Sequence, residues 1–358
     1  MPSKRWITTM SFLVAAMWLV ASCNTPSGDM PKARFERTIE LEQALGSGSA
    51  LAVSTTSGSI EVAGQETDRV HVVATVVARA ATKEQARDLA EQVSLRLEQT
   101  ADGLGIRIDK PDPARRRFIS ISYEVTVPRQ TGIDCSSASG SVNLADLTGE
   151  VSARTASGSV EATGIAGTIH LHSSSGSITC DRVDSAEVHL ESASGAVRLT
   201  NGSALRVCQL LAASGPVTAR RIEADSLRMA SSSSRVTLND AQAEAINLHA
   251  GSGSVTAGQV SCERLQAEST SGDISVAFRP DAPGDVAANV KSSTGSVRVV
   301  VPRDFAGQVD LRASSGTVRM SKPVAVTSKP GRNYVRGTVG DGAGSLLVRS
   351  GSGAIRIR

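Results

Sequence analysis

The sequence predicts an all-β fold: a single-chain parallel β-helix, right-handed by the usual crossover preference, with a small α/β cap at its amino-terminal end. Three observations carry this. A Ser-Gly pair recurs through the chain, and from Gly140 to Gly295 its spacings run 18, 18, 19, 20, 19, 19, 19 and 23 residues, so one coil is about 19 residues. Two residues after the pair stands Val or Ile in every coil, and four after it an apolar residue, a period of two that belongs to strands. Finally, the 358 residues include 40% hydrophobic side chains but only two Trp, two Tyr and five Phe. Apolar material is ample while large rings are scarce, as expected of a long interior one side-chain layer thick. Collagen is excluded because the 32 glycines follow no three-residue period.

In chain order, residues 1–22 read as a secretory signal: Lys4 and Arg5, then an uncharged stretch from Ile7 to Ala21. Val20-Ala21-Ser22-Cys23 resembles a bacterial lipobox, which makes Cys23 the expected lipidation site and membrane anchor. Asn24 follows in place of an aspartate retention signal, which favours the outer membrane in a Gram-negative host. Residues 23–34 form a short tether.

Residues 35–132 hold the first coil, around Gly58, and a cap. Within the cap, Thr82-Lys83-Glu84-Gln85 is a capping box that predicts a helix over about 83–99, flanked by strands. Residues 133–358 are then the solenoid. Its origins are Gly140, Gly158, Gly176, Gly195, Gly215, Ser234, Gly253, Gly272, Gly295, Gly316 and Gly353. Together with Gly58 they predict twelve coils, a stack of about 58 Å at 4.8 Å each. A thirteenth, degenerate coil is suggested near Gly331, though Pro330 and Asn333 break its pattern. Apolar pairs seven and five residues before the origin, such as Ile169/Leu171 and Val309/Leu311, complete four inward ladders. The glycine is expected to serve a turn that needs a compact residue tolerant of positive φ, and the serine just before it to bond its counterparts or the turn backbone in neighbouring coils. No cap follows the last ladder position, Ile357, so the final coil is expected to be an exposed edge, open to edge-to-edge self-association.

Tyr123-Glu-Val-Thr-Val-Pro128, followed by Ile133-Asp-Cys135 and the Ser-Gly repeats, resembles the bacterial putative-adhesin family, a domain of unknown function, over roughly residues 35–358. The resemblance implies a β-solenoid envelope protein and brings no catalytic residues with it.

Candidates for chemistry are few. Cys135, Cys180 and Cys208 occupy inward phases and read as free thiols; Cys262 is the remaining cysteine of the solenoid, and no Cys-x-x-Cys spacing supports zinc. His170, His172, His189 and Glu191 share outward phases of adjacent coils, a weak metal candidate on a flat strand face. No nucleophile elbow or phosphate-binding loop is present, and no cofactor is expected. The net charge is only +3, which does not point to nucleic acid, but residues 279–358 hold 13 Lys and Arg against five Asp. Arg298, Arg319 and Arg356 share the outward phase three after the origin; Lys291, Arg312 and Arg349 share that four before it. These two stripes suit an anionic glycan, phospholipid headgroups or an envelope protein. The expected function is a lipid-anchored, non-catalytic adhesion or interaction scaffold. A carbohydrate-active β-helix enzyme of the lyase or hydrolase type, or an envelope assembly or stress accessory, is the alternative.

Overall fold

The computed structural model describes residues 33–46, 48–101, 103–109, 118–326 and 331–358; the signal segment, Cys23 and the tether lie outside them. Apart from one helix, Lys83–Glu91, its regular elements are strands. They stack as a parallel β-solenoid of about 19 residues per turn. Each coil lays one strand before the Ser-Gly turn and one after it onto its neighbours in strict register. Val151 thus sits between Ile133 and Ile169, and Val160 between Val142 and Ile178. Nine turns wind in chain order, from Gly132–Ser137 to Val297–Val300. Their four ladders are buried as the period-two pattern requires.

A fifth inward phase stands seven residues after the origin, in Leu147, Ile165, Val183, Ile222, Ala241 and Val260, all buried. The period-two pattern hides it because the residue before it turns a corner. Asp146, Arg182, Asn201, Arg221, Asp240 and Gln259 have φ between 52° and 58°, and Gly164 has 68°. This left-handed corner redirects the strand, so positions four and seven after the origin both point inward. Phe278 pairs with Val260 and is buried on this third face, and Phe305 is buried as well; both rings lie outside the four ladders.

The turn itself is built differently from the expectation. Of the origin glycines only Gly58 has positive φ. The others are required by stacking: a Cβ on Gly158 would lie 1.8 Å from the Gly140 carbonyl oxygen, and one on Gly176 1.9 Å from that of Gly158. The hydroxyl that most often ties coil to coil lies three residues before the glycine; among the described residues one before it, Thr294 bonds the Thr270 carbonyl (3.3 Å) and Ser57 lies 3.5 Å from Ser120 Oγ. Ser173 Oγ accepts from the Gly176 N–H (2.8 Å) and donates to the Gly158 carbonyl of the preceding coil (3.1 Å). Thr155, Ser192, Ser231, Ser269, Ser292 and Ser350 repeat this double bond.

At both ends the order of coils departs from the order of the chain. The expected exposed final coil is interior. Gly344–Ser350 pairs with Ala287–Ser292 on one side and Gly307–Ala313 on the other, and Ile355–Ile357 likewise lies between Val297–Val300 and Val318–Met320. The true end is the 307–320 coil, whose edge is covered by Tyr334–Val339 running antiparallel to it, with Ala325–Val326 antiparallel beyond. That hairpin replaces the degenerate coil considered near Gly331. The amino-terminal end mirrors this. The first coil, Ala50–Thr55 and Ile60–Gln65, is held between the 132–145 coil and a rung made by Gly103–Asp109 and Ile119–Pro128. Each ladder therefore has thirteen rungs. Outside that rung run Arg69–Ala80 and then Ala33–Ala44, both antiparallel, with the helix packed on them. The helix stops at Glu91, short of 99, because Ser94–Gln99 alternates Leu95 and Leu97 and pairs antiparallel with Gly103–Asp109. Its cap is as the sequence indicates: Thr82 Oγ1 accepts from the Gln85 N–H.

Candidate functional site

Insertion of the last coil decides the geometry of the basic end. Arg356 lies between Arg298 and Arg319 on three consecutive rungs, and Arg349 lies between Lys291 and Arg312. Neighbours within a column are therefore about 4.8 Å apart along the axis. All six side chains are exposed. Among the described residues only Arg312 is neutralised, by a fork of bonds to Asp310 (2.8 and 3.0 Å), and its guanidinium also lies 5.2 Å from the centre of the Tyr334 ring. The remaining five are held close together against their mutual repulsion by the backbone ladder. A counter-charge aligned along the axis would relieve that repulsion.

Followed along the stack, the outward column three after the origin reverses its charge. Glu124, from the inserted rung, is in register with Glu61, Glu61 with Asn143, and Asn143 with Glu161. The sequence stripe stopped at the arginines. Glu61 and Glu161 occupy the same phase and were legible there, whereas Glu124 belongs to a rung without the Ser-Gly signal. The three glutamates make no ion pair among the described residues, and they border a depression of about 440 Å³ that also includes His71 and Val73. Between the poles the column runs Thr179, Arg198, Thr218, Thr237, Thr256 and Ser275, small and neutral apart from the exposed Arg198.

The histidine patch does not converge on a point. His170 and His189 stack with centroids 5.0 Å apart and planes 13° from parallel, so their ring nitrogens point alongside each other. His189 Nε2 bonds Glu187 (2.7 Å), which holds that carboxyl below its usual pKa, and His172 lies 3.8 Å from Glu191. Among the described residues no group of three or more His, Cys, Asp and Glu is placed to hold a metal ion.

Cys135, Cys180, Cys208 and Cys262 are buried and unpaired. Burial pushes all four thiols up, Cys208 and Cys262 to about 12, which suppresses the reactive thiolate. On the third face, a groove of about 410 Å³ passes Glu223, Asp225, Glu244 and Glu263. No Lys, Arg or His lines it, so it offers no cation to steady a uronate carboxylate during elimination.

A family model described as Toastrack DUF4097 matches the chain twice, over residues 48–207 and 204–358. The chain belongs to the Toastrack DUF4097 family. The two matches of this Toastrack chain meet in the middle of the solenoid, so each carries one end with its inserted coil. Among curated proteins, none matches the sequence. Solved structures similar to it include a putative cell adhesion protein from Clostridium sporogenes (10% identity, 90% of this chain and 99% of that one, TM-score 0.20). A putative adhesin from Bacteroides fragilis (13%, 90% and 97%, TM-score 0.30) and one from Parabacteroides distasonis (11%, 92% and 98%, TM-score 0.30) are also similar. No described helix is long and apolar enough to cross a membrane.

Proposed function

We propose that this Toastrack protein is a lipid-anchored envelope scaffold, without catalytic activity, that presents its basic end to an anionic glycan or glycan-bearing surface. The observation that carries the reading is the pair of cation columns, three rungs long, with five of six charges unpaired. Anchoring at Cys23 supports the orientation. Only nine residues separate Cys23 from the strand that begins at Ala33, a reach of at most about 35 Å, and that strand lies at the acidic end. Thirteen rungs then hold the basic end about 58 Å farther out when the solenoid stands upright. A target beyond the anchoring leaflet suits that geometry better than the headgroups of the leaflet itself.

The test is calorimetric titration with a linear acidic polysaccharide at low and high salt. The parent chain is expected to bind with an affinity that falls steeply as salt rises. Replacing Lys291, Arg312 and Arg349 by Ala should remove most of that salt-sensitive part. Binding that ignores both salt and these substitutions would contradict the reading.

A further inference from the structure

The column three after the origin is acidic at one pole, basic at the other and, but for Arg198, small and neutral between them, so its poles are complementary when the column is reversed. We propose that a second copy of the chain docks on this face with its axis antiparallel, as an isologous twofold dimer. This goes beyond the glycan reading, which then rests on the Lys291–Arg349–Arg312 column; with an anchor at each end the paired solenoids lie along the membrane, and the upright orientation belongs to the single copy.

The register can be worked out from the rungs. A dyad lying in the interface, across the axis and between the rungs of Thr218 and Thr237, keeps this column facing itself and reverses its direction. It sets Glu161 opposite the partner's Arg298, Asn143 opposite the partner's Arg356, and Glu61 opposite the partner's Arg319. Each contact occurs twice, as twofold symmetry requires. The same dyad opposes Arg220, two residues along its strand from Thr218, to the partner's Asn239 and not to its own copy. A dyad through Thr218 itself would bring the two Arg220 side chains together.

Shape agrees with charge. The acidic pole borders the depression beside His71 and Val73, while the basic pole carries three long exposed side chains, so projections meet a hollow. Small Thr and Ser side chains make up most of the middle, and the one long side chain there, Arg198, falls opposite the partner's Thr256 and meets no like charge in the column. A stripe about 58 Å long and about 15 Å wide, from strands of four to six residues, offers about 900 Å² per copy. The total of about 1,800 Å² falls within the standard range of stable interfaces. The charges involved have no partner within the described part of their own chain, so docking neutralises groups that are otherwise unpaired.

The experiment is sedimentation velocity on the full chain carrying Cys23→Ala to prevent acylation, in about 50 mM and about 500 mM salt. A dimer at low salt that shifts toward monomer at high salt is expected. The pair Arg298→Glu/Arg319→Glu should be monomeric, and so should Glu61→Arg/Glu161→Arg. Mixed, the two variants should form a one-to-one heterodimer, because each reversed pole then faces the other's reversed pole. That rescue also shows that both variants are folded. A parent chain monomeric at low salt and high concentration, a dimer indifferent to the reversals, or variants that fail to pair on mixing would each overturn the proposal.

Discussion

At seven turns the hydroxyl three residues before the origin bonds two backbone groups of adjacent coils, whereas Ala212, Ala250 and Ala313 stand at that place in three others. For Ser192 these are the Gly195 N–H and the Gly176 carbonyl, both at 2.9 Å. Ser192→Ala leaves both unsatisfied and is expected to cost about 1–3 kcal/mol in chemical denaturation, whereas Ser192→Thr should be nearly neutral, since Thr155 already makes the same pair of bonds. Gly176→Ala should cost more, because its Cβ would meet backbone, which cannot rotate away. The opposite sign is expected at the corner. Gln259 holds φ at 53° and makes no side-chain hydrogen bond among the described residues, so Gln259→Gly relieves a left-handed conformation and should stabilise by about 1 kcal/mol. The four buried thiols should resist a thiol reagent in the native state and react together on unfolding; rapid labelling of folded protein would contradict the burial described for them.

At the scale of the element, the decisive feature is insertion of the last coil. Without residues 341–358, the 307–320 coil loses its parallel neighbour on both strands. In a chain ending at residue 340, amide exchange over 307–320 is expected to approach that of an unfolded segment, while the nine turns in chain order keep their protection. Persistent protection there would mean that this coil docks directly on 287–300. The inward phases were legible in the sequence because they repeat: Val160, Ile178 and Val197 meet the same neighbours on every rung. The order of the rungs was not, since every coil has the same ladder chemistry and fits any other. What selects the order is linker length. The 37 residues from Gly316 to Gly353 leave enough chain to build the capping hairpin and return, and the 82 from Gly58 to Gly140 do the same at the other end. The hydroxyl hook was missed for a different reason: serine is so frequent around each turn that the buried one cannot be told from its exposed neighbours.

Across the whole molecule, a thin apolar interior fixes side chains of known phase on flat outer faces, and function follows from which charges fall into line. The composition pointed to the basic half of the chain, and the two arginine phases were visible in it. Their contiguity depends on the inserted coil, and the opposing acidic pole depends on a rung that carries no repeat signal. The antiparallel dimer rests on Arg356 standing between Arg298 and Arg319, and the glycan reading on the same inserted coil, which sets Arg349 between Lys291 and Arg312. Cysteine crosslinking tests that order most directly, because adjacent rungs lie within the roughly 4.4–6.8 Å Cα separation a disulfide spans and alternate rungs, near 9.6 Å, do not. Under mild oxidation of otherwise unchanged chains, Arg298→Cys/Arg356→Cys and Arg319→Cys/Arg356→Cys are expected to close intramolecular disulfides, while Arg298→Cys/Arg319→Cys stays reduced. Efficient closure between positions 298 and 319, with neither pair to 356 forming, would show that the coils stack in chain order and would contradict the account.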